Sequence, residues 1–428
     1  MRPGHRQKGT ALLLIVIAAA ALVGVVGLAI DASHVGYLKA RLQSTVDAMA
    51  LAAAKRLDQQ GTTAAACQAA LETLAANEAE FRELRESHPV TTVCPSLPWF
   101  SIEYSATVAP FVAGTTPARY VRVAIVDLKT GASLSRALGL VDLAVSARAV
   151  AGPSSAIEYL CSLLPIAVCG TSASPNFGFV PGNVYLLKGK KNDADGTSFG
   201  DFHLLRPDDP TRDDQSVNLR EDFAGGFGEC RLVRGGTTPR PTVRIKPGAN
   251  IGPVAQGVNT RFDEYLPTGQ MDPVRFPPDV LIVEPSPILK VDKDNVIRQG
   301  SRAVTTGSDV VGPRNVANLR QTYVSRLAQG PSAYDIAPLP SPGRGALLRR
   351  EVAVPIADCS PPIDENALPL RGAGCFFLVQ RMAGGASEST LIGEYLTDCE
   401  AAGRPGSTPG SGGPYTIQLV RDAASSDS

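Results

Sequence analysis

An apolar stretch near the start of the chain, residues 11–30, constrains the fold more than any other feature. It reads ALLLIVIAAAALVGVVGLAI, and nothing in it is more polar than Gly24 and Gly27. A helix rises about 1.5 Å per residue, so about 20 residues reach about 30 Å, the thickness of a bilayer's hydrocarbon core. The sequence therefore predicts a transmembrane helix over 10–30, preceded by a short tail over 1–9.

The charges on either side of this stretch predict its orientation. Arg2, Arg6 and Lys8 precede it, and Asp31 follows it. Because positive residues concentrate on the cytoplasmic side of a membrane, we expect a cytoplasmic tail and an extracytoplasmic body. A cleaved signal peptide is the alternative, although the apolar region of a signal peptide is shorter, about 7–15 residues. We favour a retained single-pass anchor, in contact with membrane lipid.

The apolar periodicity continues beyond the membrane segment. Between residues 31 and 57, apolar side chains recur at steps of three and four, which is typical of one face of a helix. The face is formed by Val35, Leu38, Leu42, Val46, Met49 and Ala53. A single helix is therefore expected from the membrane to about Leu57. This apolar stripe is predicted to contact partner helices, with a homo-oligomer as one possibility, or to pack on the chain's own sheet, and each half of the helix can serve one of these roles.

A second helix and a small sheet are predicted to follow. The helix runs from about residue 63 to residue 87, where a proline at 89 stops it. Alternating apolar residues predict strands over 101–108, 119–126 and 143–151, with a short helix over 133–140. Residues 31–152 are therefore predicted to form a unit of two helices with a small antiparallel sheet.

The composition changes after residue 153. Short apolar runs alternate with turn residues, and the whole chain contains 41 Gly and 34 Pro. Strands are predicted over 182–189, 202–205, 242–245, 280–283, 351–356, 375–379 and 415–420, and one helix over 315–327. Residues 153–428 are thus predicted to be a β-rich extracytoplasmic domain with mobile loops near 331–345 and 401–413. The predicted fold class is α+β.

All of the cysteines follow the apolar stretch, and their even number predicts disulfide bonds in an exported domain. They are Cys67, Cys94, Cys161, Cys169, Cys230, Cys359, Cys375 and Cys399. No C-x-x-C spacing indicates a zinc or thioredoxin-like site. The connectivity stays open, with Cys67–Cys94 and Cys375–Cys399 as the simplest neighbouring pairs.

One short sequence occurs twice. Residues 165–169 read PIAVC and residues 355–359 read PIADC. Two strands that each end in a cysteine can be paired neighbours in one sheet, although a match of this length also arises by chance.

Residues 6–57 resemble the TadE/TadG-like proteins of the Tad (Flp) pilus assembly machinery. The similar positions are 6–9 (RQKG), 27–31 (GLAID), 40–43 (ARLQ) and 46–54 (VDAMALAAA), with weaker similarity at 120–123 (YVRV) and 145–152 (VSARAVAG). The resemblance implies a component that is anchored in the inner membrane, has a periplasmic body and helps to build a thin pilus. Residues 31–152 would then be a pilin-like helix-plus-sheet unit. It implies other pilus assembly proteins or pseudopilins as partners.

The chain departs from this family in two places. Pseudopilins are cut after a glycine that is followed by glutamate at the fifth position, whereas Gly9 is followed at that position by Leu14. We therefore expect no prepilin-type cleavage. Residues 31–34 (DASH) and 214–218 (DQSVN) each lack the second serine of a von Willebrand A metal loop. The chain is thus predicted to be a TadG-like long form without a recognisable von Willebrand A metal site.

The remaining residues indicate no chemistry. Lys+Arg and Asp+Glu are both 41, so no basic excess indicates nucleic acid. The four histidines, His203 among them, show no H-E-x-x-H or other ligand spacing, and no nucleophile elbow is present. We predict no catalytic residue, no metal and no cofactor, and hence no enzyme. The alternatives are a cell-envelope binding protein or adhesin on a single-helix anchor, and an exported hydrolase with an unrecognised site.

Overall fold

The chain forms two compact units in a computed structural model. Unit 1 comprises Met1–Asp58, Thr62–Gly152 and Gln418–Ser428, and unit 2 comprises Gln59–Gly61 and Pro153–Ile417. The described residues are 8–77, 94, 98–130, 143–173, 176–188, 200–207, 216–233, 240–248, 250–265, 271–312, 319–337, 344–360, 364, 367–383, 390–406 and 412–421. The predicted helix over 133–140 and the last residues of the predicted second helix, 78–87, lie outside them.

One helix, α1, dominates unit 1. It runs without a break over Lys8–Gln60, which confirms the prediction of a single helix through and beyond the apolar stretch. No proline interrupts this range, so its hydrogen-bond ladder continues unbroken. A second helix, α2, covers Thr63–Asn77, and the Thr62 hydroxyl accepts a hydrogen bond from the Ala65 amide at its start.

The sheet of unit 1 has four strands. β1 (Phe100–Ser105), β2 (Tyr120–Thr130) and β3 (Leu143–Pro153) pair antiparallel in chain order, as the alternating residues predict. The fourth strand, β19 (Ile417–Val420), pairs with β3. The sequence did not predict this pairing, because β19 follows the whole of unit 2.

Unit 2 is β-rich, and its described residues include three short α-helices. Its helices are α3 (Ser216–Gly225), α4 (Ile251–Asn259) and α5 (Leu319–Leu327). Its strands are β4 (Ile157–Cys161), β5 (Ile166–Cys169), β6 (Val184–Lys188), β7 (Phe202–Arg206), β8 (Cys230–Leu232), β9 (Thr242–Ile245), β10 (Leu289–Val291), β11 (Ile297–Gln299), β12 (Arg302–Ala303), β13 (Glu351–Ala357), β14 (Leu368–Leu378), β15 (Leu391–Leu396), β16 (Asp398–Glu400), β17 (Gly403–Pro405) and β18 (Gly413–Tyr415). Together with unit 1, this content confirms the predicted α+β class.

The largest sheet of unit 2 closes on itself. Its seven strands follow the order β13-β5-β7-β9-β14-β15-β6, and β13 also pairs with β14. Strands β13, β5, β7, β9 and β14 therefore form a ring, which leaves β15 and β6 as an extension beside β14. Fully buried side chains such as Ile166, Val354 and Phe376 belong to the core that packs against this sheet. A closed ring removes the exposed strand edges that promote aggregation.

The predicted strand over 280–283 is wrong. In that segment the Leu281 amide donates to the Asp279 carboxylate at 2.9 Å, and the Ile282 amide donates to the Asp335 carboxylate at 2.9 Å. Two carboxylates thus take backbone amides that a strand neighbour would otherwise bind. The segment is apolar, and Val280 and Leu281 are buried in it, but it belongs to no strand.

Candidate functional site

The first half of α1 is apolar on all sides and exposed. Large apolar side chains keep between 42% and 68% of their surface accessible, namely Leu12, Leu13, Leu14, Ile15, Val16, Ile17, Leu22, Val23, Val25, Val26, Leu28 and Ile30. A continuous apolar surface of this size is unfavourable in water. By length and composition, the helix suffices to cross a bilayer.

The second half of α1 is buried along one face. Leu38, Leu42, Val46, Met49 and Ala53 are at most 3% exposed, and Val35 is half-buried. These are the six residues of the predicted apolar stripe. Their burial within the chain agrees with packing on its own fold, and their contact with a partner helix stays a prediction.

Polar side chains fix this part of α1 to β3. The Lys39 ammonium donates to the Ser146 carbonyl at 2.6 Å, and the side-chain amide of Gln43 donates to the Arg148 carbonyl at 2.9 Å. The side-chain amide of Gln43 also donates to the Asp47 carboxylate, one helical turn further along, at 2.8 Å. The first half of α1 is therefore an exposed apolar helix, whereas its second half is packed into the folded unit.

A cavity of about 370 Å³ lies in unit 1 beside these contacts. Gln43 and Asp47 of α1, Ala149 and Val150 of β3, and Leu419 of β19 line it. Leu419 is 42% exposed. The cavity thus opens where the last strand meets the helix.

Residues 9–56 match the family model described as Tad, the putative Flp pilus-assembly TadE/G-like family. This segment is therefore similar to TadE/G-like proteins. The match covers both the exposed and the buried half of α1, and it confirms the resemblance read from the sequence. It supports a role in pilus assembly. Neither a curated protein nor a solved structure matches the chain.

The TadE/G-like segment also contains one of the two near-matches to a von Willebrand A loop. Residues 31–34 are helical within α1, so they do not form the loop that such a metal site requires. Residues 214 and 215 of the second near-match lie outside the described residues. The position of Leu14, in the exposed apolar half, is consistent with its contact with lipid.

All eight cysteines form disulfides, as predicted for an exported chain. The pairs are Cys67–Cys94, Cys161–Cys230, Cys169–Cys359 and Cys375–Cys399. The two neighbouring pairs suggested by the sequence are both present. The repeated PIA-x-C sequence also has a structural counterpart, because β5 and β13 are parallel neighbours in which Ala357 faces Cys169.

A third side chain lies beside one of these disulfides. Donor atoms of Cys169, His203 and Cys359 all lie within 4.8 Å of one another, and the three residues are buried. His203 belongs to β7, where it faces Ala167 of β5. Sequence spacing did not reveal this cluster, because the ring brings together strands that are far apart along the chain.

A buried charged network occupies another part of unit 2. The Arg350 guanidinium donates to the carbonyls of Leu281, Val283, Leu378 and Val379 at 2.9–3.2 Å. The Asp279 carboxylate accepts hydrogen bonds from the Tyr323 hydroxyl and from the Arg350 amide. Burial raises the pKa of Asp279 to about 6, against the opposing effect of Arg350 and these hydrogen bonds. The network joins four backbone segments, and the three residues at its centre are at most 4% exposed, so its role is structural.

Glu394 is a buried carboxylate at the edge of a second cavity. This cavity of about 550 Å³ lies in unit 2, and Arg320, Val324 and Tyr395 also line it. Glu394 is 4% exposed, and it accepts a hydrogen bond from the Arg320 amide at 3.2 Å. Burial raises its pKa to about 7. No sequence pattern indicated this carboxylate, since its surroundings arise only from tertiary packing.

Proposed function

We propose that the chain is a membrane-anchored periplasmic component of a Tad (Flp) type pilus, with a structural or assembly role. The TadE/G-like match over 9–56 is the observation that carries this proposal. The match lies on α1, which combines an exposed apolar half with a half built into a folded unit.

The anchor is proposed to be single-pass, with its N-terminus in the cytoplasm. The exposed apolar half of α1 supports a membrane-embedded position. Arg2, Arg6 and Lys8 before it support the cytoplasmic side for the N-terminus. The disulfides support an oxidising compartment for the body, since such bonds persist outside the cytosol.

The chain is proposed to act by protein–protein contact and without catalysis. Pilus assembly proteins or pseudopilins are the proposed partners. The contact surface is the exposed half of α1, where small residues such as Gly24 allow close helix approach, since an added Cβ there meets nothing within 4 Å. A second copy of the same helix is a further proposed partner.

A deletion strain tests the role. Loss of the chain should abolish pili seen by electron microscopy, and the full-length chain supplied from a plasmid should restore them. A matched variant replaces residues 11–30 with an unrelated apolar helix of equal length. It should stay in the membrane fraction and fail to restore normal pilus numbers.

Two outcomes would contradict the proposal. If the deletion strain assembles pili in normal numbers, the assembly role is wrong. If those pili are present but attachment to surfaces is lost, an adhesin is the better description. Orientation is tested separately, because a phosphatase reporter fused after residue 60 should be active only in the periplasm, and activity in the cytoplasm would reverse the topology.

A further inference from the structure

The ring of unit 2 gathers two sulfur atoms and one imidazole at a single buried point. Cys169 is the last residue of β5, His203 lies in the neighbouring strand β7, and Cys359 follows β13 on the other side. Their exposed fractions are 2%, 2% and 3%. Their donor atoms all lie within 4.8 Å of one another, a separation that one metal ion can bridge.

Two thiolates and an imidazole form a soft donor set. Such ligands favour Zn²⁺ and Cu⁺ over hard cations such as Mg²⁺ or Ca²⁺. We propose that Cys169, His203 and Cys359 bind one soft d¹⁰ cation, Zn²⁺ or Cu⁺, when the Cys169–Cys359 disulfide is reduced. This site is independent of the proposed pilus function, and it makes the disulfide and the metal complex alternative states of one centre.

The exchange between the two states balances with an external dithiol as reductant. The dithiol passes two electrons and two protons to the Cys169–Cys359 bond and leaves as its own disulfide. Each cysteine thiol then loses its proton to solvent as the cation binds, because thiolate is the ligand. The imidazole of His203 would bind through one neutral nitrogen, since a metal-bound histidine typically donates its other ring N–H to a hydrogen-bond acceptor.

Contacts other than the disulfide hold the frame of the site. The Cys169 amide donates to the Asp201 carbonyl at 2.7 Å, and the Gly170 amide donates to the Ala357 carbonyl at 3.0 Å. The Asp358 carboxylate pairs with Arg371 and with Arg240, each at 2.8 Å. Because these contacts fix the backbone on both sides, reduction of the disulfide leaves the donors near one another.

Metal titration of the full chain in detergent tests the proposal. The protein is reduced with dithiothreitol, desalted without oxygen, and titrated with Co²⁺ as the optical probe for zinc, or with Cu⁺ against a chromophoric chelator. We expect one tightly bound equivalent of at least one cation, with cobalt–thiolate absorption in the Co²⁺ arm. The arm that binds more tightly assigns the cation.

Three variants separate this site from the other cysteines. The double variant Cys169→Ser with Cys359→Ser should lose the tight equivalent. H203N should weaken binding by at least about tenfold, since loss of a ligand or its support typically costs ten- to a hundredfold. H34N is the matched control, because His34 is exposed on α1, and it should bind as the wild type does.

Several results would overturn the site. They are no tight equivalent of either cation, an unchanged affinity in H203N, or an unchanged affinity in the double cysteine variant. X-ray absorption of the zinc-loaded wild type needs no variant to fold. It should show two sulfur neighbours at about 2.3 Å and a nitrogen at about 2.0–2.1 Å, and a shell without sulfur would equally refute the proposal.

Discussion

Val168 and Ile356 face each other in a parallel strand pair, and the disulfide Cys169–Cys359 joins the chain just beyond them. Those cysteines are 190 residues apart in sequence. Parallel strands need a long connection between them, so this pair depends on the folding of everything between. The disulfide therefore lies at the strand pair of the ring whose members are farthest apart in sequence, where closing the chain costs the most conformational entropy.

Removal of this disulfide should destabilise unit 2 more than removal of a local one. In the chain-entropy model, a loop of 190 residues is worth about 5 kcal/mol and a loop of 24 about 3.5 kcal/mol. The double serine variant at Cys375 and Cys399 is a matched control, because all four cysteines are at most 3% exposed. Denaturant unfolding followed by near-UV circular dichroism measures both variants. Equal losses, or a larger loss for the local pair, would contradict the expectation.

Gly257 should not tolerate a side chain. It lies in α4, where an added Cβ would collide with the Arg220 carbonyl and the Phe223 side chain of α3. G257A should lower the free energy of unfolding by about 1–3 kcal/mol, the usual cost of overpacking. G252A is the control on the same helix, because its Cβ would meet nothing within 4 Å. It should change stability by less than about 1 kcal/mol, and similar effects of the two variants would argue against close α3–α4 packing.

Loss of the Arg350 side chain should be severe. R350A leaves four buried carbonyls without their guanidinium donor and removes a cation that faces the ring of Phe377 at 4.4 Å. We expect a loss of about 3–5 kcal/mol, typical of a broken buried charged network. R381A is the control, since Arg381 is 52% exposed and pairs with surface carboxylates. R381A should lower the free energy of unfolding by less than about 1 kcal/mol in thermal unfolding. If R350A costs no more than R381A, the structural role of the Arg350 network is wrong.

Glu394 should make unit 2 less stable as pH rises. Its folded pKa of about 7 lies above the ordinary 4.5, so the folded state holds the proton more tightly than the unfolded chain. That contribution is complete below about pH 4.5 and is lost as the pH rises through about 7. E394Q should remove the part of the slope between about pH 6 and pH 8, while the slope from Asp279, whose pKa is about 6, remains below that range. The variant should be more stable than the wild type at pH 8, by at most about 3 kcal/mol.

Stability measured from pH 4.5 to pH 8 tests this expectation. E264Q is the control, because the Glu264 side chain is 49% exposed. It should keep the slope of the wild type. If E394Q keeps that slope as well, then another group is responsible for it.

The sequence predicted those helices, strands and disulfides whose interacting residues are close together along the chain. The length of α1 follows from an uninterrupted apolar periodicity, and β2 and β3 follow from strict alternation. The near disulfides Cys67–Cys94 and Cys375–Cys399 join cysteines that are neighbours along the chain. In each case the interacting residues lie within one short stretch, so the sequence alone contains the signal.

The remainder depends on contacts between distant segments. Helix α4 carries Gly and Pro (IGPVAQGVN), which disfavour a helix, and its packing against α3 overrides that preference. The segment over 280–283 has strand-like composition, but Asp279 and Asp335 bind its amides. His203 joins Cys169 and Cys359 only because the ring closes. None of these outcomes has a signature within a single window of sequence.

The place of β19 in the sheet of unit 1 sets an order for folding during synthesis. A ribosome releases β1, β2 and β3 first, then all of unit 2, and only afterwards the strand that completes the first sheet. Until β19 is released, the backbone amides and carbonyls at the edge of β3 have no strand partner and can pair with the strand of another chain. A nascent chain halted before residue 417 would keep that edge unpaired, whatever the state of its longer domain.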